Sequence, residues 1–298
     1  MVVPQAAGTE VDWLAREYAT HMSAAWRVPV VVENRTGAGG DIGVGQAARA
    51  AADGYTLLFT GGSIVLNAVI GKTSYDPVRS FTPVFFGGPS YFTVAVSDKL
   101  GVRTVQDLVK LAKDKPGSLN YGSPGNGSVQ NLAMELFKRE AGIDIVHVPY
   151  KTAAAAVADL AGGTIDAIIV SGAQVLSLEE QGRIKVLMTI SPERDPRLPD
   201  VPTAAESDFR NLKVVGWSGV LAPAGTSPEV VKKINAAFNA AREKPSMREA
   251  VMKRFGSLDK VEVQGTTKEL GDLIASDLKM WGALFPASHA KDRVSNQE

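Results

Sequence analysis

The sequence predicts an α/β fold of mostly parallel sheets flanked by helices, and three observations carry that prediction. Short apolar runs alternate with segments whose apolar residues recur at helical spacing. The elements follow one another as strand, helix, strand, helix, strand, the pattern of a doubly wound sheet. The length, 298 residues with 45% hydrophobic content, suits one large α/β unit or two domains of about 150 residues each.

The first unit of the pattern ends a strand at Val2–Val3 and turns through Pro4–Thr9 (PQAAGT). A helix from Glu10 to about Trp26 follows, with Val11, Leu14, Ala15, Tyr18, Ala19, Met22 and Trp26 near helical spacing. Glu10 and Asp12 occupy its first turn, where acidic groups suit the helix dipole. Asp12 either caps this helix or leans towards a ligand. Val28–Glu33 (VPVVVE) reads as a buried strand. The glycines at 37, 39 and 43 suggest a nucleotide loop, but Ile42 stands where G-x-G-x-x-G needs its third glycine, and no convincing acidic residue follows. Helix packing or a ligand-facing loop accounts better for them. Tyr55–Thr60 (YTLLFT) is a third buried strand, and Gly61-Gly62-Ser63 opens another small-residue loop.

Further on, Phe92–Ser97 is a strand and Thr104 caps a helix. Leu119–Gly122 is a strand that runs into Ser123-Pro124-Gly125-Asn126-Gly127-Ser128. The helix after it places Leu132, Ala133, Leu136 and Phe137 on one face and stops at Gly142. Unpaired N–H groups point out of such a helix start, and the macrodipole adds partial positive charge. Glycines let an anion approach the backbone, while Ser123, Asn126 and Ser128 add donors, so this loop can hold a carboxylate or phosphate without a cation. A plain capped helix after a flexible turn is the alternative. Ile145–Pro149 leads to a Tyr150–Ala154 loop and a helix to about Ala161. Ala167–Val170 leads to Ser171-Gly172-Ala173, and Lys185–Ile190 is another strand. Pro192–Pro202 reads as an irregular surface segment. Trp217–Ala222 is a strand, Pro228–Ala241, Ser246–Arg254 and Thr267–Leu284 are helices, and the polar tail from Ala287 reads as disordered.

Composition excludes several chemistries. Lys+Arg and Asp+Glu both total 32, and a neutral chain without a basic stripe argues against nucleic acid as a partner. There is no cysteine, so disulfides, thiolate metal sites and cysteine nucleophiles are ruled out. The three histidines, His21, His147 and His289, are far apart, and nothing calls for a metal or cofactor. No apolar run is long enough to span a membrane. No signal peptide is present, yet Met1-Val2-Val3-Pro4 looks like the end of a strand, as a precursor shorn of its leader would leave it. A hydrolase would need a serine elbow. Ser128 sits at a helix start, but no G-x-S-x-G occurs, and His147 reads as a packed structural residue.

Seven stretches in order carry a resemblance: VVPQAAGTEVDWLAR, VVVENRTGAGGDIG, DGYTLLFT, LNYGSPGNGSVQNLAMELFK, HVPYKTAAAAVADLAGGTID, LPDVPTAAE and GWSGVLAPAGTSPEVVKKIN. Together they span residues 2 to about 240. The chain resembles the Bug family, the periplasmic substrate-binding proteins of tripartite tricarboxylate transporters. The resemblance implies a two-domain venus flytrap with crossing hinge strands. Domain one would be residues 1–97 plus 221–298, domain two 98–220, with a ligand cleft between them. It implies a monomeric periplasmic receptor that delivers a mono- or dicarboxylate, aromatic ones included, to membrane permease subunits. A ligand sensor for a signalling partner is the alternative, and no turnover is expected.

The resemblance also implies where the ligand sits. One carboxylate would be held by Gln5, Ala7, Gly8, Thr9 and Asp12 on one side and by Ser123, Gly125, Asn126, Gly127 and Ser128 on the other. Ser63 would line the first domain. The far end of the ligand would meet Thr152, Ala153, Ser171, Gly172 and Ala173. The chain departs from the family pattern at Gln5 (usually aromatic), Thr9 and Thr152 (usually glycine) and Thr36 (usually proline). Gln5, Thr9 and Thr152 add polar side chains near the expected pocket and alter the size or polarity of ligand it takes.

Overall fold

Helix α1 (Glu10–Trp26) shows how local chemistry sets the elements. Thr9, in extended conformation, accepts the Asp12 N–H on its hydroxyl and so caps the helix, a role the sequence offered to Asp12. Leu14, Tyr18 and Met22 fall on the buried face, and burying an apolar side chain such as Leu14 or Met22 stabilises the fold by roughly 1.5–3 kcal/mol. The computed structural model describes residues 1–71, 73–195, 197–255, 258 and 261–285, so the tail from Ala287 lies outside the described residues. The chain divides into two compact units. One comprises Met1–Pro89 and Trp217–Lys253 with the described residues after 257; the other comprises Ser90–Gly216 with Arg254 and Phe255.

In unit one, β1 (Val2–Val3) pairs in parallel with β2 (Glu33–Asn34) and with β3 (Leu58–Gly61). β9 (Val215–Pro223), which enters this unit at Trp217, runs antiparallel to β3. The expected strand Val28–Glu33 shrinks to Glu33–Asn34. Val28 and Val31 are exposed, because this segment lies at the sheet's edge with no strand beyond β2 among the described residues to bury it. α2 (Asp41–Ala48) follows β2, and α3 (Ser63–Ile70) follows β3. β4 (Phe81–Ser97) is far longer than the expected Phe92–Ser97 and passes from unit one to unit two after Pro89. Gly219 lets β4 and β9 run close, since a Cβ there would lie 3.1 Å from the Phe85 carbonyl. Tyr18, Phe59, Phe85 and Phe238 form an aromatic core with ring centroids 5.0–6.4 Å apart.

In unit two, the later half of β4 is flanked antiparallel by β7 (Ala167–Ser171) and β8 (Ile184–Thr189). β7 pairs in parallel with β5 (Asn120–Ser123), and β5 with the edge strand β6 (Val146–Pro149), in a register that sets Tyr121 opposite His147. α4 (Val105–Asp114) opens with a capping box at Thr104. α5 (Val129–Ala141) and α6 (Ala153–Gly162) follow β5 and β6, and Leu160 of α6 packs with Ala95, Ile168, Val170 and Val186 of the sheet in one core cluster. Short α7 (Leu176–Glu180) precedes β8. The chain then completes unit one with α8 (Pro228–Arg242), α9 (Pro245–Phe255) up to Lys253, and α10 (Thr267–Leu284).

Candidate functional site

The candidate residues fall at the carboxyl ends of parallel strands in each unit, where open α/β sheets bind ligands. In unit one the β1–α1 loop is fixed from below by Asp12. Its carboxylate is buried, 2% exposed, and accepts hydrogen bonds from Gly8 N (2.8 Å), Asn34 Nδ2 (2.8 Å) and Arg16 Nε (3.1 Å). Asn34 also donates to the Gln5 carbonyl at 3.0 Å, and Arg16 donates to Asn34 Oδ1 at 2.7 Å. Burial pushes the Asp12 pKa up, but the hydrogen bonds from Arg16, Gly8 and Asn34 and the Arg16 charge outweigh it. The carboxyl therefore sits below the usual carboxylate range and stays ionised. An ionised carboxylate repels an anion, so Asp12 acts by shaping the loop. Thr9 caps α1 and donates its hydroxyl proton to the Ala6 carbonyl at 2.9 Å. Ala7 stands exposed at the loop tip, and its N–H has no acceptor among the described residues.

The glycine loop after β2 abuts this one. A Cβ at Gly40 would lie 3.3 Å from the Pro4 carbonyl, and Asn67 Nδ2 of α3 donates to the Gly39 carbonyl at 2.7 Å. The loop thus bridges the β1–α1 loop and α3, the helix that Ser63 starts. No hydrogen bond among the described residues joins Ser63 itself to Gln5–Thr9.

In unit two the Ser123–Ser128 loop folds back on itself. Ser128 caps α5 by accepting the Asn131 N–H at 3.2 Å, and donates to the Gly125 carbonyl at 2.8 Å. Gly125 has φ 115°, a region that favours glycine. The Gly125 N–H donates to Ser123 Oγ at 3.2 Å, and the Gly127 N–H to Asn131 Oδ1 at 3.1 Å. Asn126 is exposed at the tip, and its N–H has no acceptor among the described residues. Ser123 is fully buried, with its Oγ 2.7 Å from His147 Nε2 and 3.1 Å from the Gly125 carbonyl. Its hydroxyl is engaged within the protein and supports the loop. His147 is half-buried and bonded rather than simply packed in the core, its ring stacked on Tyr121 at 4.8 Å. Burial, chiefly, pushes its pKa below the ordinary imidazole value.

The neighbouring loop joins through Tyr150, whose N–H donates to the Ser123 carbonyl at 2.8 Å. Its hydroxyl donates to Asp159 at 2.7 Å and is pushed up to about 12, by burial first and then by that carboxylate. Thr152 caps α6 by accepting the Ala155 N–H at 3.2 Å, leaving the Ala153 N–H at the helix start. Ser171, Gly172 and Ala173 leave β7 in a tight turn packed on a buried ion pair. A Cβ at Gly172 would lie 2.8 Å from Asp195 Oδ2 and 3.4 Å from Arg197 Nη2. Arg197 Nε donates to Asp195 Oδ1 at 2.7 Å, and Asp195 is 1% exposed. The segment 192–202 is therefore partly interior, against the surface reading of its proline and charge content.

The structure thus brings together Gln5, Gly8, Thr9 and Asp12 in one unit, and Ser123, Gly125, Gly127, Ser128 and the Tyr150–Thr152 turn in the other. Sequence reasoning missed Asn34, Asn131 and the Asp195–Arg197 pair. Asn131 left a signal, a polar residue three positions after the capping serine. Asn34 left none, since its partners lie 22 and 29 residues away. The serines do not form a hydrolase site, because Ser128 is engaged as a cap and the imidazole lies on the buried Ser123.

A family model described as the tripartite tricarboxylate transporter family receptor matches residues 14–289. MatC from Rhodopseudomonas palustris with bound malate aligns at TM-score 0.85 and 28% identity, over 95% of this chain and 97% of that one. An R. palustris protein with adipate aligns at TM-score 0.84 and 30% identity, over 97% of this chain and 96% of that one. The periplasmic binding protein BugD aligns at TM-score 0.83 and 29% identity, over 96% of this chain and 95% of that one.

Proposed function

The chain belongs to the tripartite tricarboxylate transporter family receptors and has the two-domain α/β fold of periplasmic binding proteins, and from that premise we propose that it captures a small mono- or dicarboxylate in the periplasm. The monomeric receptor then closes its two units on the ligand and delivers it to the membrane permease subunits of a tripartite transporter. The family is one of receptors, and no step of chemistry is assigned to this chain.

One observation carries the reading. In each unit a small-residue loop at a capped helix start presents N–H groups, at Ala7 and at Asn126, and neither loop holds a lysine or arginine. Backbone donors at a helix start recognise one carboxylate oxygen pair by geometry and leave the rest of the ligand free to vary. Similar proteins with malate and with adipate fit that reading, since both ligands are dicarboxylates. Gln5 adds a polar side chain beside the first loop, whereas the Thr9 hydroxyl is engaged as the α1 cap and on the Ala6 carbonyl, and the Thr152 hydroxyl caps α6.

The test is a thermal-shift screen followed by calorimetry with aliphatic and aromatic mono- and dicarboxylates, amino acids and nucleotides. A ligand that binds only the folded protein raises its melting temperature by mass action. A carboxylate is expected to raise it, with weaker binding in Ser128→Ala. A shift with nucleotides alone would sink the proposal and make the 37–43 glycine loop the site.

A further inference from the structure

Behind the Ser123–Ser128 loop lies a set of buried and half-buried polar groups that contact no ligand in the reading above. Asn131 is 6% exposed. Its Oδ1 takes the Gly127 N–H, and its Nδ2 donates to the Tyr121 hydroxyl at 2.8 Å. That hydroxyl donates to Glu135 Oε1 at 2.7 Å. On the other side, His147 stacks on the Tyr121 ring and meets Ser123 Oγ, which takes the Gly125 N–H. Both N–H groups that set the loop's curvature are therefore held by side chains that converge on Tyr121.

We propose that His147 and Asn131 are positioning residues for the anion-binding loop, His147 acting through Ser123 on Gly125 and Asn131 acting directly on Gly127. The inference rests on the carboxylate-receptor reading for its consequence in binding, but the loop support itself does not. Three points favour positioning over ordinary packing. The contacts are hydrogen bonds to loop N–H groups or to the serine that holds one. They approach from two elements, α5 and β6. Asn131 uses both its amide oxygen and its amide nitrogen.

The arrangement also makes the loop sensitive to protons. Ser123 has one hydroxyl proton. When His147 is neutral with a bare Nε2, Ser123 can donate to it. When His147 is protonated, Nε2–H donates to Ser123 Oγ, and the serine proton turns to the Gly125 carbonyl. Among the described residues the titratable groups facing the imidazole are Tyr121 on β5, and Glu135 and Lys138 on α5, these two paired at 3.2 Å. Protonation adds a positive charge behind a loop that takes an anion, so anion binding and proton binding favour each other.

The experiment compares the full chain with His147→Phe, which keeps a ring over Tyr121 but loses the nitrogen, with His147→Gln, which restores a polar group, and with Asn131→Leu. Hydrogen exchange is followed at Gly125 and Gly127 without ligand, and malate affinity is measured from pH 5 to 8. His147→Phe is expected to speed exchange at Gly125, and Asn131→Leu at Gly127, each roughly tenfold, with β7 amides unchanged and partial recovery in His147→Gln. Malate affinity is expected to rise towards low pH more steeply in the wild type than in His147→Phe, which shares the ligand's own titration. Unchanged loop exchange, or acceleration spread equally over β7, would overturn the proposal, and so would identical pH profiles. If exchange responds as expected but the wild-type protein binds neither malate nor any other carboxylate in the screen, the positioning role stands and the receptor reading falls.

Discussion

The two candidate loops use the same backbone device with opposite electrostatic support. Each follows a parallel strand and ends in a hydroxyl cap, Thr9 in unit one and Ser128 in unit two. The β1–α1 loop is tied down by an ionised carboxylate that faces a guanidinium and an amide. The β5–α5 loop is tied down by hydroxyl, amide and imidazole groups, with the Glu135–Lys138 pair one step removed. A charged support is strong where its donors are complete, and fails when it is protonated. A neutral support is weaker, and in unit two it includes an imidazole whose pKa burial pushes below the ordinary value.

The largest expected effect comes from breaking the charged support. Asp12→Ala leaves the Gly8 N–H, Asn34 and Arg16 without their acceptor and is expected to cost roughly 2–4 kcal/mol in urea unfolding. Because the folded carboxyl titrates below its ordinary value, its contribution is complete above the usual carboxylate range. It is lost as pH falls through the lower folded value. An acid titration of wild-type stability that matched Asp12→Ala at low pH and diverged above it would confirm the assignment.

A second carboxylate in unit one sharpens the point. Asp277 is also buried, but it receives one resolved donor, Trp217 Nε1 at 2.7 Å, and burial pushes it up to about 6. Trp217 is 3% exposed and anchored to α10 where β9 enters unit one. The folded state binds the Asp277 proton more tightly than the unfolded chain does. Stability therefore falls as pH rises from the ordinary carboxylate range through about 6. Asp277→Asn keeps an acceptor for Trp217 and is expected to raise stability at pH 8 by about 1–3 kcal/mol and to change little at pH 4. Equal effects at both pH values would break the contrast with Asp12.

In unit two the expected effects are smaller. Tyr121→Phe retains the ring beneath His147 but strands the Asn131 amide nitrogen and leaves Glu135 with Lys138, for about 1–2 kcal/mol. Thr9→Ala and Ser128→Ala each remove one cap and are expected to cost about 1 kcal/mol. Matched losses for these two, against unequal losses for Asp12→Ala and Tyr121→Phe, would show that the loops differ in their supports and agree in their caps.

Much of the fold is legible in the sequence where the signal is local. Helix Glu10–Trp26 and helix Thr267–Leu284 fall where apolar spacing places them, because 3.6-residue periodicity acts over a few residues, while their caps are Thr9 and Thr266. The small-residue loops at 4–9 and 123–128 were visible for the same reason. Burial was harder to read. VPVVVE looks like an interior strand, and only its position at the sheet's edge leaves Val28 and Val31 in solvent. The long reach of β4 was hidden by Gly87-Gly88-Pro89, residues that usually stop a strand.

The sequence by itself determined the α/β alternation, the absence of thiol chemistry and two capped helix starts lacking cations, since these depend on residue type and near neighbours. Tertiary structure alone decided what those loops rest on. Asp12 meets Asn34 across 22 residues, Ser123 meets His147 across 24, and Trp217 meets Asp277 across 60. A hydrogen bond requires two groups within about 3 Å, and separations of that kind along the chain become contacts only when strand order and register bring the groups face to face.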